Sequence, residues 1–261
     1  MDYIEHLVRE SARFADAMTQ AAPQTAVPSC PEWTADDLLW HLGQVQYFWG
    51  TVVLDNTDGG SAEQRTPERP DGRAALQDFY RQASERLAGC LTGADPAAHA
   101  WTWSADQTIG FIQRRQAHEA LIHRVDAELT AGQRTPLDPR LAADGIDEGL
   151  RVMYGGCPPW GTITAEPGRT LRIRATDAGD TWLVTLARFT GTDPEHGKSY
   201  DEADIHIAAS DPGTDAAAEI SGTAGDLDCW LWNRAPLGPV TRSGDQAVLD
   251  GFGAVINQPI N

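Results

Sequence analysis

The sequence is poor in positive charge relative to negative charge, and this imbalance excludes two classes of partner. Lysine and arginine together number 20 against 38 acidic residues, so the 261-residue chain has a formal net charge of −18. Such a charge repels nucleic-acid phosphates and anionic membrane surfaces. We therefore expect neither nucleic acid nor a membrane as a partner.

Long apolar runs and paired cysteines are also lacking. No apolar stretch approaches the length of a membrane-spanning helix, and residues 1–18 contain acidic residues from position 2 onward, which indicates an amphipathic helix and not a secretory signal. The few cysteines lie far apart without a Cys-x-x-Cys pair: Cys30, Cys90, Cys157 and Cys229. Buried free thiols in a reducing cytoplasm are favoured over disulfides or a thiolate metal site.

Helical periodicity dominates the first part of the chain. Apolar residues recur three or four positions apart in segments 2–22, 35–53, 73–92 and about 107–131. Thr34 is a suitable N-cap for the second segment, with Asp37 in its acidic first turn. Helices of this length, joined by long and short connections, predict a four-helix bundle, closed by a shorter helix around 138–154.

A stretch of glycine and proline, residues 154–161, separates this part from a different pattern. Short segments that alternate apolar and polar residues follow, and they predict four antiparallel strands within 161–167, 169–176, 181–189 and 203–210. Helical spacing returns after them. The sequence thus predicts an α+β protein of two domains, a helical bundle over 1–154 and a small α+β domain with an antiparallel sheet over 160–261.

Two histidines and a glutamate on the fourth predicted helix suggest a metal site, but not that of a zinc protease. His118 and His123 are five residues apart, about 140° around the helix, and so do not share a face. Glu119 and His123 are four apart, about 40°, and lean towards the same point. His118 points elsewhere, which favours packing or support of a ligand over direct coordination.

His41 supplies a candidate third ligand. It lies in the middle of the apolar second helix, where an imidazole is unexpected. Two nitrogens and one carboxylate oxygen are a set that zinc accepts in catalytic sites while keeping a fourth position open. The spacing alone leaves alternatives open, because lone buried histidines are often hydrogen-bonded core residues and Glu–His pairs four apart occur on helix surfaces.

Two longer motifs, residues 27–49 and 111–128, resemble the mycothiol-dependent maleylpyruvate isomerase family. The similarity extends to "SGTAGDLDCWLWNRAP" in the C-terminal part. The resemblance implies a DinB-like metal-binding helical bundle, with a divalent metal, zinc, on His41, Glu119 and His123. It also implies mycothiol as the thiol cosubstrate and a catalytic arginine in the C-terminal domain, for which Arg234 is the best match.

The function expected from this resemblance is the addition of an activated thiolate to a small electrophile, most directly a maleylpyruvate-type cis–trans isomerisation in the cytoplasm by a monomer. One alternative is a mycothiol S-transferase of detoxification or secondary metabolism. Another is a non-catalytic, metal-dependent binding or regulatory protein. Arg234 could also be a cation at a helix end, in which case Arg114 and Arg115 are the next candidates for anchoring a substrate. Asp126 could orient the imidazole of His123.

Overall fold

The computed structural model of the chain describes residues 1–257 and divides into two compact units, with the division between Thr135 and Pro136. The last four residues of the predicted second domain lie outside the described residues. The division comes earlier than the predicted boundary at 154–160, because the helix Pro139–Glu148 packs against Ala224–Leu231 of the second unit.

Unit one contains the four predicted long helices, and a short helix lies in the predicted polar loop. The bounds are α1 Tyr3–Gln20, α2 Ala35–Asp55, α3 Gly59–Glu63, α4 Arg73–Leu91 and α5 Ile109–Thr130. The predicted cap of α2 is confirmed. The backbone N–H of Thr34 donates to the Asp37 carboxylate at 2.8 Å, and the backbone N–H of Asp37 donates to the Thr34 hydroxyl at 3.3 Å.

A small hairpin precedes α2 and was not predicted. It pairs β1 Ala26–Val27 with β2 Cys30–Thr34, where the two prolines of the sequence suggested only an interruption. Val27 is fully buried, and it joins a core cluster contributed by α1, α2, α4 and α5. The hairpin is therefore anchored in the bundle and leads directly into the first turn of α2.

A buried ionic network joins α1 to α5. The Arg124 side chain is fully buried and donates to Glu10 at 2.9 Å and to Glu128 at 3.0 Å. Glu128 also accepts from the backbone N–H of Thr135 at 2.9 Å and from Arg13 at 3.2 Å. Buried charges are costly unless they are paired. The pairing of Arg124 with Glu10 therefore fixes the position of α1 along α5.

Unit two is a mixed sheet with helices. The strands are β3 Gly161–Ala175, β4 Thr181–Thr192, β5 Ser199–Ile207, β6 Ala218–Gly222 and β7 Thr241–Gly244, in the order β5-β4-β3-β6-β7. The predicted strands are antiparallel neighbours, and two of them form one strand, since β3 continues through an irregularity between Ala165 and Thr170. The unpredicted β6 pairs parallel with β3, so the sheet is not purely antiparallel.

The helices of unit two are α6 Pro139–Glu148, α7 Ala224–Leu231 and α8 Gln246–Ile256. A π-helical segment, Gly149–Tyr154, extends α6. Buried residues alternate along β3, where Leu171, Ile173 and Ala175 are buried, and α8 packs on the sheet through its own apolar face. The α+β class with two domains is thereby confirmed.

None of the helices within residues 1–257 combines the length and apolar character needed to cross a membrane. The four cysteines are free thiols, as predicted, but only Cys229 is fully buried, and Cys157 is exposed.

Candidate metal centre

The three predicted ligands come together in unit one. His41 extends from the middle of α2, and Glu119 and His123 extend from successive turns of α5. Glu119 Oε1 lies 3.2 Å from His123 Nε2 and 3.6 Å from His41 Nε2. One donor atom from each residue lies within 4.8 Å of the other two. The sequence spacing could pair Glu119 with His123, and the fold adds His41.

These separations fit a metal ion. In a tetrahedral site with bonds of about 2.0–2.1 Å, neighbouring donor atoms are about 3.3–3.4 Å apart, and the two distances from Glu119 lie on either side of that value. The exposed side-chain fractions are 32% for His41, 21% for Glu119 and 9% for His123. A ligand from solvent can therefore reach the site past His41 and Glu119.

Asp126 holds the imidazole of His123, and Ser29 in turn holds Asp126. Asp126 Oδ2 lies 3.0 Å from His123 Nδ1, and Asp126 also accepts a hydrogen bond from the Ser29 hydroxyl. A carboxylate at Nδ1 favours the tautomer with its proton on Nδ1, which leaves the Nε2 lone pair for a metal. Asp126 thus orients the imidazole, the role considered from the sequence. Ser29, in the unpredicted hairpin, was missed.

Arg115 holds the other oxygen of Glu119. Its guanidinium donates to Glu119 Oε2 at 2.9 Å, and the Arg115 side chain is only 5% exposed. Oε1 is the oxygen that faces both histidines, so the carboxylate presents one oxygen to the metal position. A carboxylate and an arginine four residues apart on one helix face were the available sequence signal.

Trp33 forms an aromatic wall beside the ligands. Its ring centroid lies 4.6 Å from that of His41 and 6.4 Å from that of His123. The two imidazole rings are themselves 4.8 Å apart at an angle of 73°. Like Ser29, Trp33 belongs to the hairpin, so one small element contributes both a hydrogen bond and an apolar surface to this site.

The protonation of the ligands follows from their contacts. Burial disfavours the charged imidazolium of His123, but the hydrogen bonds to Asp126 and Glu119 outweigh it and raise the pKa of His123 to about 9. Burial likewise opposes the ionisation of Glu119, yet hydrogen bonds from His123 and His41 and the charge of Arg115 hold its pKa well below the usual value. Without metal, His123 is therefore a cation beside a carboxylate at neutral pH.

His118 lies elsewhere on α5. It is buried, and its ring meets that of Tyr3 of α1 edge to face, with centroids 6.3 Å apart. It takes no part in the cluster of three donors, which agrees with the angular argument from the sequence.

Arg234 lies in unit two, just after α7. Its guanidinium donates to the backbone carbonyl of Trp232 at 2.6 Å, and its backbone N–H donates to the carbonyl of Cys229 at 2.7 Å. The preceding residue, Asn233, has a left-handed φ of 57°. Burial raises the pKa of Tyr154 to about 12 against the opposing charge of Arg234, which places that charge near the phenol.

A cavity of about 470 Å³ opens between α1 and α4, away from the three ligands. Apolar side chains such as Val8, Ala15 and Met18 form its walls, and an Asp78–Arg81–Glu85 ion group lies at its edge. None of His41, Glu119 and His123 lines it. The cavity is therefore separate from the three candidate ligands.

Comparison with known proteins identifies both units. The family model of the mycothiol maleylpyruvate isomerase N-terminal domain matches residues 4–128, and that of the MDMPI C-terminal domain matches residues 140–251. A crystal structure of the mycothiol-dependent maleylpyruvate isomerase aligns with a TM-score of 0.52 at 13% identity, and one of a histidine-to-alanine mutant with 0.53 at 12%. Each alignment covers 93% of this chain and 92% of the other. A search of curated proteins found no match.

Proposed function

The chain belongs to the mycothiol-dependent maleylpyruvate isomerase family, and we propose that it is a zinc- and mycothiol-dependent enzyme that isomerises an electrophilic cis double bond. The observation that carries the proposal is the convergence of His41, Glu119 and His123 on one point. The solved structures of similar fold are those of an enzyme with this cosubstrate and reaction. The proposal retains the cytoplasmic location and the monomeric state expected from the sequence.

The residues of unit one fit a zinc ion with an open position. When bound, the ion supplies Lewis acidity, which lowers the pKa of a thiol so that a nucleophile is present at neutral pH. With zinc bound, Asp126 would accept the hydrogen bond from Nδ1–H of His123, so that Nε2 would be free to coordinate. Arg115 fixes Glu119 so that Oε1 points to the same place. The Trp33 ring lies beside the imidazoles of His41 and His123 and would exclude water from that side.

The thiolate sulfur adds to one carbon of the cis double bond, and the π electrons move to the conjugated carbonyl oxygen as an enolate. Rotation about the resulting single bond follows. Collapse of the enolate restores the double bond in the trans form and expels the thiolate, so no thiol is consumed. In this proposal Arg234 pairs with a substrate carboxylate or with the enolate oxygen, a charge-assisted contact that strengthens as negative charge develops.

The S-transferase alternative uses the same residues and differs in outcome. If the electrophile carries a leaving group, or if the adduct is released, each turnover consumes one thiol. The non-catalytic alternative predicts metal binding without turnover. Asp126 contacts the ligand His123, and Arg115 contacts the ligand Glu119. Such contacts orient metal ligands and adjust the reactivity of the bound ion, so they favour a catalytic metal over one that serves only in binding.

Thiol counting during turnover tests the proposed function. Maleylpyruvate with a catalytic amount of mycothiol is expected to give fumarylpyruvate with no net loss of free thiol, measured with a thiol-reactive dye alongside product absorbance. Stoichiometric thiol loss with an electrophile would show the transferase instead. Absence of both turnover and thiol loss over a panel of electrophiles would favour the binding protein.

Zinc affinity is expected to rise with pH, because zinc must displace the proton of His123. The pKa of His123 is raised to about 9, so below that pH the metal-free imidazole is charged. Affinity should therefore increase by about tenfold per pH unit between about pH 7 and 8.5, with release of one proton from this residue. Competition with a chelator whose own pH dependence is known measures the zinc affinity at each pH. An affinity that is constant over this range would show that zinc displaces no proton from His123, in contradiction of the raised pKa.

Substitution of Arg234 by lysine tests the proposed substrate anchor. Lysine keeps the charge but lacks the planar fork that pairs bidentately with a carboxylate. We expect kcat/KM to fall by an equivalent of about 2–4 kcal/mol, while zinc content stays unchanged. Arg242→Lys is the control, since Arg242 lies on β7 over the ring of Trp230. Full kcat/KM in Arg234→Lys and in Arg234→Ala would reduce Arg234 to a cation at a helix end.

A further inference from the structure

Gln116 of α5 is a buried amide whose hydrogen bonds are not made within the protein. The residue is only 1% exposed. Neither its Oε1 nor its Nε2 has a hydrogen-bond partner among residues 1–257. Buried polar groups in folded proteins are almost always paired, and an orphaned group weakens the fold. An amide that is kept buried with both of its atoms unpaired therefore indicates a partner that binds from outside.

Gln116 lies on the same helix as two of the candidate metal ligands, and ideal helix geometry places it on their side of α5. At 100° per residue, His123 lies about 20° from Gln116 around the helix axis, and Glu119 lies about 60° from it. Glu119 is one turn further along α5, a rise of about 4.5 Å. Side chains of a helix lean towards its N-terminus, so Glu119 and His123 lean towards the turn that holds Gln116. The three residues therefore form one stripe along α5.

Two other buried glutamines each make at least one hydrogen bond to a neighbouring helix, although Oε1 of Gln46 is also unpaired among residues 1–257. Gln113 donates to the carbonyl of Leu91 at 3.2 Å, and Gln46 donates to the hydroxyl of Ser11 at 2.9 Å. Each therefore ties its own helix to a neighbour. Within the described part of the chain, the Gln116 side chain makes no hydrogen bond to a neighbouring helix, so a role in holding the helices together does not explain why a glutamine is buried at this position.

We propose that Gln116 binds an amide group of the thiol cosubstrate, an inference that rests on the proposed function. Both atoms of the Gln116 amide are unpaired, so a ligand that satisfies them offers an acceptor for Nε2 and a donor for Oε1. A carboxylate offers acceptors only, and a bare alkyl thiol offers neither. A hydroxyl offers both on a single oxygen, whereas a secondary amide offers them on separate atoms, a carbonyl acceptor on one edge of its plane and an N–H donor on the other. The geometry thus points to a thiol that carries an amide near its sulfur, with the sulfur at the metal and the amide at Gln116.

Two simple thiols test this assignment on the zinc-loaded protein. N-acetylcysteamine carries a secondary amide two carbons from the sulfur, and 1-propanethiol has no amide. Isothermal titration calorimetry is expected to show that the wild type binds the amide thiol roughly tenfold more tightly. In Gln116→Met, which keeps the length of the side chain, the preference should vanish through weaker binding of N-acetylcysteamine, with propanethiol binding and zinc content unchanged.

Thermal unfolding without thiol gives a second readout. Because methionine leaves no unpaired amide, Gln116→Met is expected to unfold at the same temperature as the wild type or higher. Gln46→Met is the matched control: it removes a buried amide of α2, loses the bond to Ser11 of α1 and should keep the thiol preference. Gln116→Leu repeats the test if the methionine variant does not fold.

The possible outcomes separate this inference from the proposed function. Equal binding of both thiols by the wild type, or a thiol preference that survives in Gln116→Met, would overturn the role of Gln116 and leave thiol binding at the metal intact. A lower unfolding temperature of Gln116→Met, together with an unchanged thiol preference, would show that the Gln116 amide hydrogen-bonds an internal water and not the thiol. Binding of neither thiol to the zinc-loaded wild type would overturn both proposals.

Discussion

Glu119→Gln is expected to lose zinc and to lower kcat/KM for thiol-dependent isomerisation by roughly a thousandfold, equivalent to about 4 kcal/mol. Glu119 is the one anionic member of the proposed ligand set, and its Oε1 faces both histidines. Without the ion, a thiol of ordinary pKa, about 8.5, is only a few per cent ionised at neutral pH. Elemental analysis and steady-state kinetics on the same preparations measure the two effects.

Glu85→Gln is the control for this change. Glu85 is an exposed residue of α4 that pairs with Arg81, so its neutralisation should alter neither zinc content nor activity. Zinc retained at one ion per chain in Glu119→Gln, or activity within a few-fold of the wild type, would remove Glu119 from the ligand set.

Arg124→Met is expected to lower the free energy of unfolding by about 3–5 kcal/mol, because it leaves buried carboxylates without their main partner. Arg124 is fully buried and contacts both Glu10 and Glu128, which are themselves 1% and 4% exposed. Methionine fills much of the volume of the arginine side chain but cannot compensate the negative charges of Glu10 and Glu128. Urea denaturation followed by circular dichroism measures the loss.

Arg81→Met is the matched control for Arg124→Met. Arg81 also contacts two acidic residues, Asp78 and Glu85, but its side chain is 56% exposed. Its loss should therefore cost less than about 1 kcal/mol. Equal effects of the two substitutions would mean that the buried network around Arg124 contributes no more than a surface ion pair.

Much of unit one follows from sequence periodicity. The four long helices lie within two or three residues of their predicted bounds, since each has an apolar stripe and α2 has a capping box. Glu119 and His123 could be paired from their spacing because both lie on one helix. His41 is on another helix, and its distance from Glu119 depends on how α2 and α5 pack. The resemblance to the family, and not the spacing, grouped His41 with Glu119 and His123.

The contacts around the ligands could not be predicted from local pattern. Ser29 and Trp33 lie in a hairpin whose prolines favour a break in structure, and only its burial against the bundle brings them to the site. Gln116 looks like an ordinary helix residue in the sequence. Its significance lies in the missing hydrogen bonds, which only the folded structure reveals.

Only part of the sheet of unit two could be predicted, because alternation marks its long strands but not its short ones. Alternation identified β4, and it identified the two halves of β3, but the Pro-Gly pair at 167–168 suggested a turn where the strand continues with an irregular register. The short strands β6 and β7 carry too few alternating residues to stand out. Because the chain crosses after β5 to the far side of β3, the parallel pairing of β6 depends on tertiary contacts.

The most direct test of the metal centre is the zinc content of the purified wild type beside that of His123→Ala, measured by elemental analysis after exhaustive dialysis. The account predicts close to one zinc per chain in the wild type and a large loss in the variant, with the helical circular dichroism of both unchanged. Undiminished zinc in His123→Ala, or a wild type that takes up no divalent metal when metal is offered, would contradict it.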